Sequence, residues 1–387
     1  MLSTHLTTDL DKKLHDIYIH LGNHYQQYNR IGTLNGLAGI ALFQFYYEER
    51  YNLNSERGFE TLEHCIKKIN KDNFSASYCN GLAGFGWLLN HLEEEELVEK
   101  NTFADIEPVI DIYIENHLHQ CIQQDNYDFF HGALGSIFYF LKKSDSTRKY
   151  EKHISLLFSK LFELYATLYD YDLGKIALSE IIEGELKKRL HFGPAHGISG
   201  IIAILCTAYN KDYFQEQSTL WVDKFVQLIL SSEMPLDDIS QFPMWIDLQT
   251  KEKATSSLSW CSGDIGIGIT LLNTSDTFRN RTWKELSSDI LKKASQRRHI
   301  QQSMIKGYGM CHGYFGASRI FSRAHDLNPA REFEEASLYW LKEGMDSLIV
   351  THDSPMSMLN GMAGAGLVML DFRHEKLSNW DECLLIS

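Results

Sequence analysis

NGLAGFGWLL, residues 80–89, opens with an asparagine and two glycines three positions apart and then runs into residues that are apolar on nearly every side. The figure returns as NGLAGIALF at 35–43 and NGMAGAGLVML at 360–370. Looser copies are HGALGSIFYFL at 131–141, HGISGIIAIL at 196–205, CSGDIGIGITLL at 261–272 and CHGYFGAS at 311–318. The leading glycines are Gly36, Gly81, Gly132, Gly197, Gly263 (Gly266 under strict alignment), Gly313 and Gly361. They stand 45, 51, 65, 66, 50 and 48 residues apart, each interval long enough for two helices and their connections.

The apolar segment after each glycine pair, such as IIAILCTAY at 201–209, reads as a helix buried in an inner layer. The segments before the pairs, such as ERGFETLEHCIKKIN at 56–70 and FADIEPVIDIYIENHLHQCI at 103–122, carry one apolar face and belong in an outer layer. Seven outer and inner pairs returning on themselves predict an all-α fold, an α/α toroid formed as a single domain over 1–387. The glycines permit the turn into the inner helix and its close approach to neighbours. Asn35, Asn80 and Asn360 are expected to be N-caps, their side chains accepting helix amide hydrogens.

The charge of −14 offers no basic stripe for a phosphate backbone, so nucleic acid is excluded as a partner class. The longest charge run, EEEELVEK at 93–100, is mostly acidic and reads as a solvated helix face. The opening MLSTHLTTDLDKKLHDIYIH lacks the apolar core of a signal peptide, and no apolar run reaches about 20 residues, so no transmembrane segment is expected and the protein is placed in the cytoplasm. Seven scattered cysteines form no disulfide framework.

Two of those cysteines share a register. Cys261 and Cys311 each stand two residues before a repeat glycine, and His312 follows the second. In a toroid, equivalent positions of adjacent repeats meet around one rim. Two thiolates and an imidazole suit Zn²⁺ better than Mg²⁺ or Ca²⁺, and three protein ligands leave a fourth position open, which is the pattern of a catalytic site. Cys65, Cys79, Cys121, Cys206 and Cys383 read as small buried hydrophobes. His196 directly precedes its repeat glycine, in the register of His131 and His312, and can give or take a proton at the same rim. Asp128, four residues before Gly132, either orients a histidine or fixes a turn.

With Trp260-Cys261-Ser262-Gly263, Cys311-His312-Gly313 and Ala195-His196-Gly197-Ile198 in place, the chain resembles the lanthionine synthetase C-like family of lanthipeptide cyclases along its whole length. The resemblance implies zinc on Cys261, Cys311 and His312, with His196 and Asp128 at the catalytic positions. It implies addition of a cysteine thiolate to dehydroalanine or dehydrobutyrine of the same dehydrated precursor peptide, closing a thioether ring. His196 would protonate the resulting enolate at Cα, or first take the thiol proton. It further implies a leader-bearing precursor as substrate, a separate dehydratase and an exporter as partners, and a place at the inner face of the cell membrane.

The chain departs from the family pattern after the first zinc cysteine. Relatives commonly have Gly-Arg-Pro-Gly there, and this chain has Gly263-Asp264-Ile265-Gly266; an arginine often found four positions ahead of the cysteine is replaced by Ser257. Lys251 and Lys253 are the nearby cations expected to substitute. The two longest intervals include the 170–174 and 235–243 stretches, read as a lid or a leader-docking edge. Two other readings stay open: a zinc-dependent transferase of the same fold that adds glutathione or another thiol, or prenylates a cysteine, and a non-catalytic peptide-binding scaffold.

Overall fold

The computed structural model of the chain describes residues 4–71, 74–144, 147–167, 173–182 and 184–387. In chain order its helices are α1 (Thr4–His24), α2 (Leu37–Arg50), α3 (Arg57–Ile69), α4 (Leu82–Glu94), α5 (Glu107–Gln123), α6 (Ala133–Lys143), α7 (Glu151–Thr167), α8 (Ile198–Asn210), α9 (Gln215–Leu230), α10 (Asp264–Thr277), α11 (Arg281–Ser295), the single-turn α12 (Ile300–Ser303), α13 (Tyr314–Leu327), α14 (Arg331–Ser347) and α15 (Met362–His374). The seven repeat glycines stand at the starts of α2, α4, α6, α8, α10, α13 and α15. The fifth repeat is led by Gly263, which caps α10.

The two helix classes follow from their residues. Helix α2 is buried without a break from Leu37 to Glu48, and α15 from Met362 to Asp371, as a helix apolar all round must be. Helix α3 buries Gly58, Thr61, Leu62 and Cys65 on one stripe and turns the Glu63–Lys67 ion pair to solvent. Each large aliphatic or aromatic side chain so buried contributes about 1.5–3 kcal/mol.

The chain falls into two compact units. One comprises residues to His117 with 306–319 and 337–383; within it α2 packs on α3, α4 and α15, and α15 on α1. The other comprises Leu118–Ile305, Ile320–Ala336 and Leu384–Ser387; within it α8 packs on α6, α9 and α10, and α10 on α11.

The inner helices are capped by backbone, which overturns the expected asparagine caps. Gly36, Gly81 and Gly361 are the N-cap residues, in extended conformation, with no side-chain cap hydrogen bond. The first helix amides instead donate to carbonyls seven residues upstream: Leu37 to Arg30, Leu82 to Ser75, Ala133 to Asn126, Ser199 to Phe192, Tyr314 to Gly307 and Met362 to Pro355. The incoming loop thus folds over the helix start and satisfies the donors that a polar side chain would otherwise meet. Asn35 bonds across to its counterpart, its Nδ2 donating to Asn80 Oδ1 at 3.1 Å.

The same loop explains the glycines. A Cβ at Gly81 would lie 1.8 Å from the Ser75 carbonyl oxygen, and one at Gly266 2.0 Å from that of Trp260. The requirement is close approach, since neither residue has a positive φ.

The two longest intervals between repeats build a small antiparallel sheet that helical periodicity did not foretell: β1 (Leu178–Ile182), β2 (Glu185–His191), β3 (Pro243–Asp247) and β4 (Lys253–Thr255), in that order. Glu180 pairs with Lys187, and His191 with Trp245. Of the 170–174 stretch, residues 170–172 lie outside the described residues. The 235–243 stretch leads into β3.

Candidate metal centre and proton-transfer pair

The ligand atoms of Cys261, Cys311 and His312 lie within 4.8 Å of one another. Each comes from the loop that folds over a repeat helix. The Met310 and Cys311 amides both donate to the Leu359 carbonyl, at 2.8 and 3.0 Å, and Lys306 N donates to His312 O at 3.0 Å. Cys261 follows Trp260, which is fully buried and donates from Nε1 to Leu384 O at 2.9 Å. Its carbonyl packs so closely that a Cβ on Gly193 would fall 2.1 Å away. Backbone anchoring on this scale preorganises the ligands.

The donor set fits a zinc ion. Tetrahedral coordination with Zn–S near 2.3 Å and Zn–N near 2.0–2.1 Å spaces ligand atoms about 3.5–3.8 Å apart, inside the observed spread. Cys311 is buried, while Cys261 and His312 reach solvent, so a fourth ligand has an approach. The other cysteines differ in kind: burial pushes Cys121 up to about 11 and Cys206 up to about 12, with Cys65 and Cys383 raised further by the same cause. These are inert thiols of the interior.

His196 and Asp128 are brought together from the third and fourth repeats. His196 Nδ1 meets Asp128 Oδ2 at 2.5 Å. Asp128 does both things its position allows, because its Oδ1 accepts the His131 amide at 2.7 Å and so fixes the turn into α6. Burial disfavours the imidazolium, but the hydrogen bond and charge of Asp128 outweigh it, and Cys261 and Glu180 add to the effect. The net result holds His196 above the ordinary imidazole value. With Nδ1 engaged, Nε2 is the nitrogen that can deliver or accept a proton.

Three neighbours of this pair escaped sequence reasoning. The Phe130 ring packs edge-on against His196, with centroids 4.8 Å apart. On the sheet, His191 Nε2 lies 3.6 Å from Glu180 Oε1, and burial lowers the His191 pKa against the pull of Glu180. His191 follows no repeat register, and the mostly basic strand ELKKRLH that carries it gave no signal for it. The pair also borders a cavity of about 250 Å³, whose wall includes Tyr127, Leu134, Leu178 and Ile201.

The acidic departure has its own explanation. Asp264 is buried, accepts the Gln241 and Phe242 amides at 2.9 Å each, and pairs with Arg297 Nη1 at 2.8 Å. Arg297 also donates to the Ser256 and Gln302 carbonyls. The carboxylate is therefore an internal fastening of the 241–256 excursion. The proposed substitutes for arginine are engaged elsewhere or turned outward: Lys253 Nζ donates to the Ser232 and Glu233 carbonyls, and Lys251 is exposed in the β3–β4 turn.

Residues 29–385 match the family described as lanthionine synthetase C-like protein. The nisin biosynthesis protein NisC of Lactococcus lactis subsp. lactis is 24% identical over 382 residues, covering 91% of this chain and 88% of that protein. The solved structure of a nisin cyclase superposes with a TM-score of 0.80 at 20% identity, covering 97% of both chains. The likeness bears out the α/α toroid fold expected from the repeats.

Proposed function

The chain belongs to the lanthionine synthetase C-like family, and from that premise we propose that it is a lanthipeptide cyclase closing thioether rings in a dehydrated precursor peptide. The observation that carries this reading is the convergence of Cys261, Cys311 and His312 into one ligand cluster in such a chain. The relatives named for nisin biosynthesis and as a nisin cyclase support the same reaction class.

When bound, a zinc ion on Cys261, Cys311 and His312 supplies a Lewis acid that lowers the pKa of a substrate thiol. The cysteine sulfur of the peptide gives up its proton to solvent and forms a C–S bond to the β-carbon of dehydroalanine or dehydrobutyrine. The π pair moves toward the α-carbon and its carbonyl. His196, hydrogen-bonded through Nδ1 to Asp128, delivers the proton on Nε2 to Cα and is reprotonated from solvent. An S–H is thereby added across a C=C, and the peptide mass does not change. Holding both reacting residues of one peptide makes ring closure intramolecular.

The dehydratase follows from this chemistry, and the leader and exporter are what membership of the family implies. A dehydratase must make the electrophile, the leader of the precursor supplies affinity away from the reacting residues, and an exporter removes the product. This reading takes 1–387 as one domain that works in the cytoplasm at the inner membrane face. Among the described residues no helix is long and apolar enough to cross a membrane.

Because the reaction is mass-neutral, the test counts thiols. Purified protein is incubated with a dehydrated precursor, the product is alkylated with N-ethylmaleimide, and adducts are counted by mass spectrometry. Loss of alkylatable cysteines with enzyme present, and their retention without it, is expected. Full alkylation after prolonged incubation with zinc-loaded protein would leave the scaffold reading in its place.

A further inference from the structure

We infer that Phe130 is a positioning residue whose ring, held between the Trp260 indole and the His196 imidazole, sets the direction in which His196 presents Nε2. The inference rests on the cyclase reading for its chemical consequence and on geometry for its substance. Phe130 is 6% exposed. Its ring stacks on Trp260 with centroids 5.9 Å apart and planes 25° apart, and meets His196 at 4.8 Å and 71°. Both separations fall in the range where aromatic pairs attract.

Trp260 is a fixed wall. It is fully buried, its Nε1 donates to Leu384 O at 2.9 Å, and its carbonyl is pressed onto the start of α10 at Gly266. It also immediately precedes Cys261. A continuous brace therefore runs from the Leu384 carbonyl through Trp260 and Phe130 to His196. The turn over residues 128–131 supplies both ends of the grip on the imidazole, since Asp128 holds Nδ1 and Phe130, two residues later, contacts the ring.

The two contacts do different things. A hydrogen bond at Nδ1 constrains one atom and, being tolerant in angle, still permits the ring plane to tilt. An edge-to-face contact restricts the ring plane, and so the line along which Nε2 points. Under the cyclase reading that line selects which face of the planar α-carbon receives the proton. A loosened imidazole delivers from more than one direction or yields to water, and the new stereocentre becomes mixed.

The test compares Phe130→Ala and the milder Phe130→Leu with wild type in the zinc-loaded protein. One readout does not need turnover: the rate at which diethyl pyrocarbonate modifies His196, followed by peptide mass mapping. The second is the ratio of Cα epimers in the thioether residue, with zinc content measured alongside. We expect His196 to be modified at least threefold faster in both variants. At unchanged zinc content, a second epimer should appear, more in Ala than in Leu. Should the Ala variant not fold, the Leu variant alone decides by the same criteria. An unchanged modification rate overturns the inference, as does a single epimer in folded variants or a loss of rate that merely tracks loss of zinc. Wild-type protein that forms no ring would instead overturn the cyclase reading, and the modification rate then decides the positioning role by itself.

Discussion

The carboxylate of Asp128 is divided between two tasks, Oδ1 accepting the amide of His131 and Oδ2 meeting Nδ1 of His196, a residue 68 positions further on. One side chain thus shapes a turn and charges a histidine, and replacing it separates the two effects by their pH dependence.

His196 is held above its ordinary value of 6.5, so its acid form persists to higher pH than in a free imidazole. If that form delivers the proton, the alkaline limb of the pH–rate profile lies above pH 6.5 in the wild type and moves down in Asp128→Asn. The pair's contribution to stability has the matching sign. It is fully present below about pH 6.5 and is lost as pH rises through the raised folded value. Initial rates and urea midpoints from pH 5 to 9 check both statements.

Under the proposed reading, removing one residue of the cluster should remove the metal. Cys261→Ala and Cys311→Ala should each lower zinc affinity at least about a hundredfold, above the loss typical of an outer hydrogen-bond partner. Elemental analysis of dialysed protein should fall from near one zinc per chain toward none. Cys65→Ala, at a fully buried thiol outside the cluster, should keep the metal.

Asp264→Ala strands a buried guanidinium and two backbone amides. Breaking a buried pair from one side costs about 3–5 kcal/mol. A urea titration should show the loss in the midpoint, and Asp264→Asn, which still accepts hydrogen bonds, should recover part of it.

Gly81→Ala places a Cβ 1.8 Å from a backbone carbonyl that cannot move without undoing the cap of α4. The loss should reach about 3 kcal/mol, at the upper end for overpacking. Asn35→Ala, which removes two partly buried side-chain hydrogen bonds, to Asn80 and from Tyr28, and no cap, should cost about 1–2 kcal/mol. The order of these two thermal midpoints distinguishes backbone capping from asparagine capping.

The helical architecture was legible because every repeat glycine carries the imprint of a loop packed on a helix, and because α2 and α15 have no polar face to hide. The convergence of Cys261, Cys311 and His312 was legible by register, since Cys261 and Cys311 share an offset. The sheet was not: β2 alternates charged residues with few apolar ones and lies in the long intervals where no repeat constrains the reading. The role of Asn35 was misread because a side chain before a helix resembles a cap unless the path of the preceding loop is known. Asp264 was judged by the basic residue it replaces, while its partner Arg297 lies 33 positions away and gives no local signal.

Backbone capping has a further consequence for what such a scaffold can host. The residue just before each leading glycine is Asn35, Asn80, His131, His196, Ser262, His312 or Asn360. Where the helix amides are satisfied by carbonyls of the incoming loop, the side chain at that position is not required to hold the helix end. The fold therefore carries a series of interchangeable mounts, at which reagents can be exchanged without redesigning the frame that supports them. New chemistry could be installed at the exposed Asn360 with little loss of stability, whereas the glycine beside it admits no substitute.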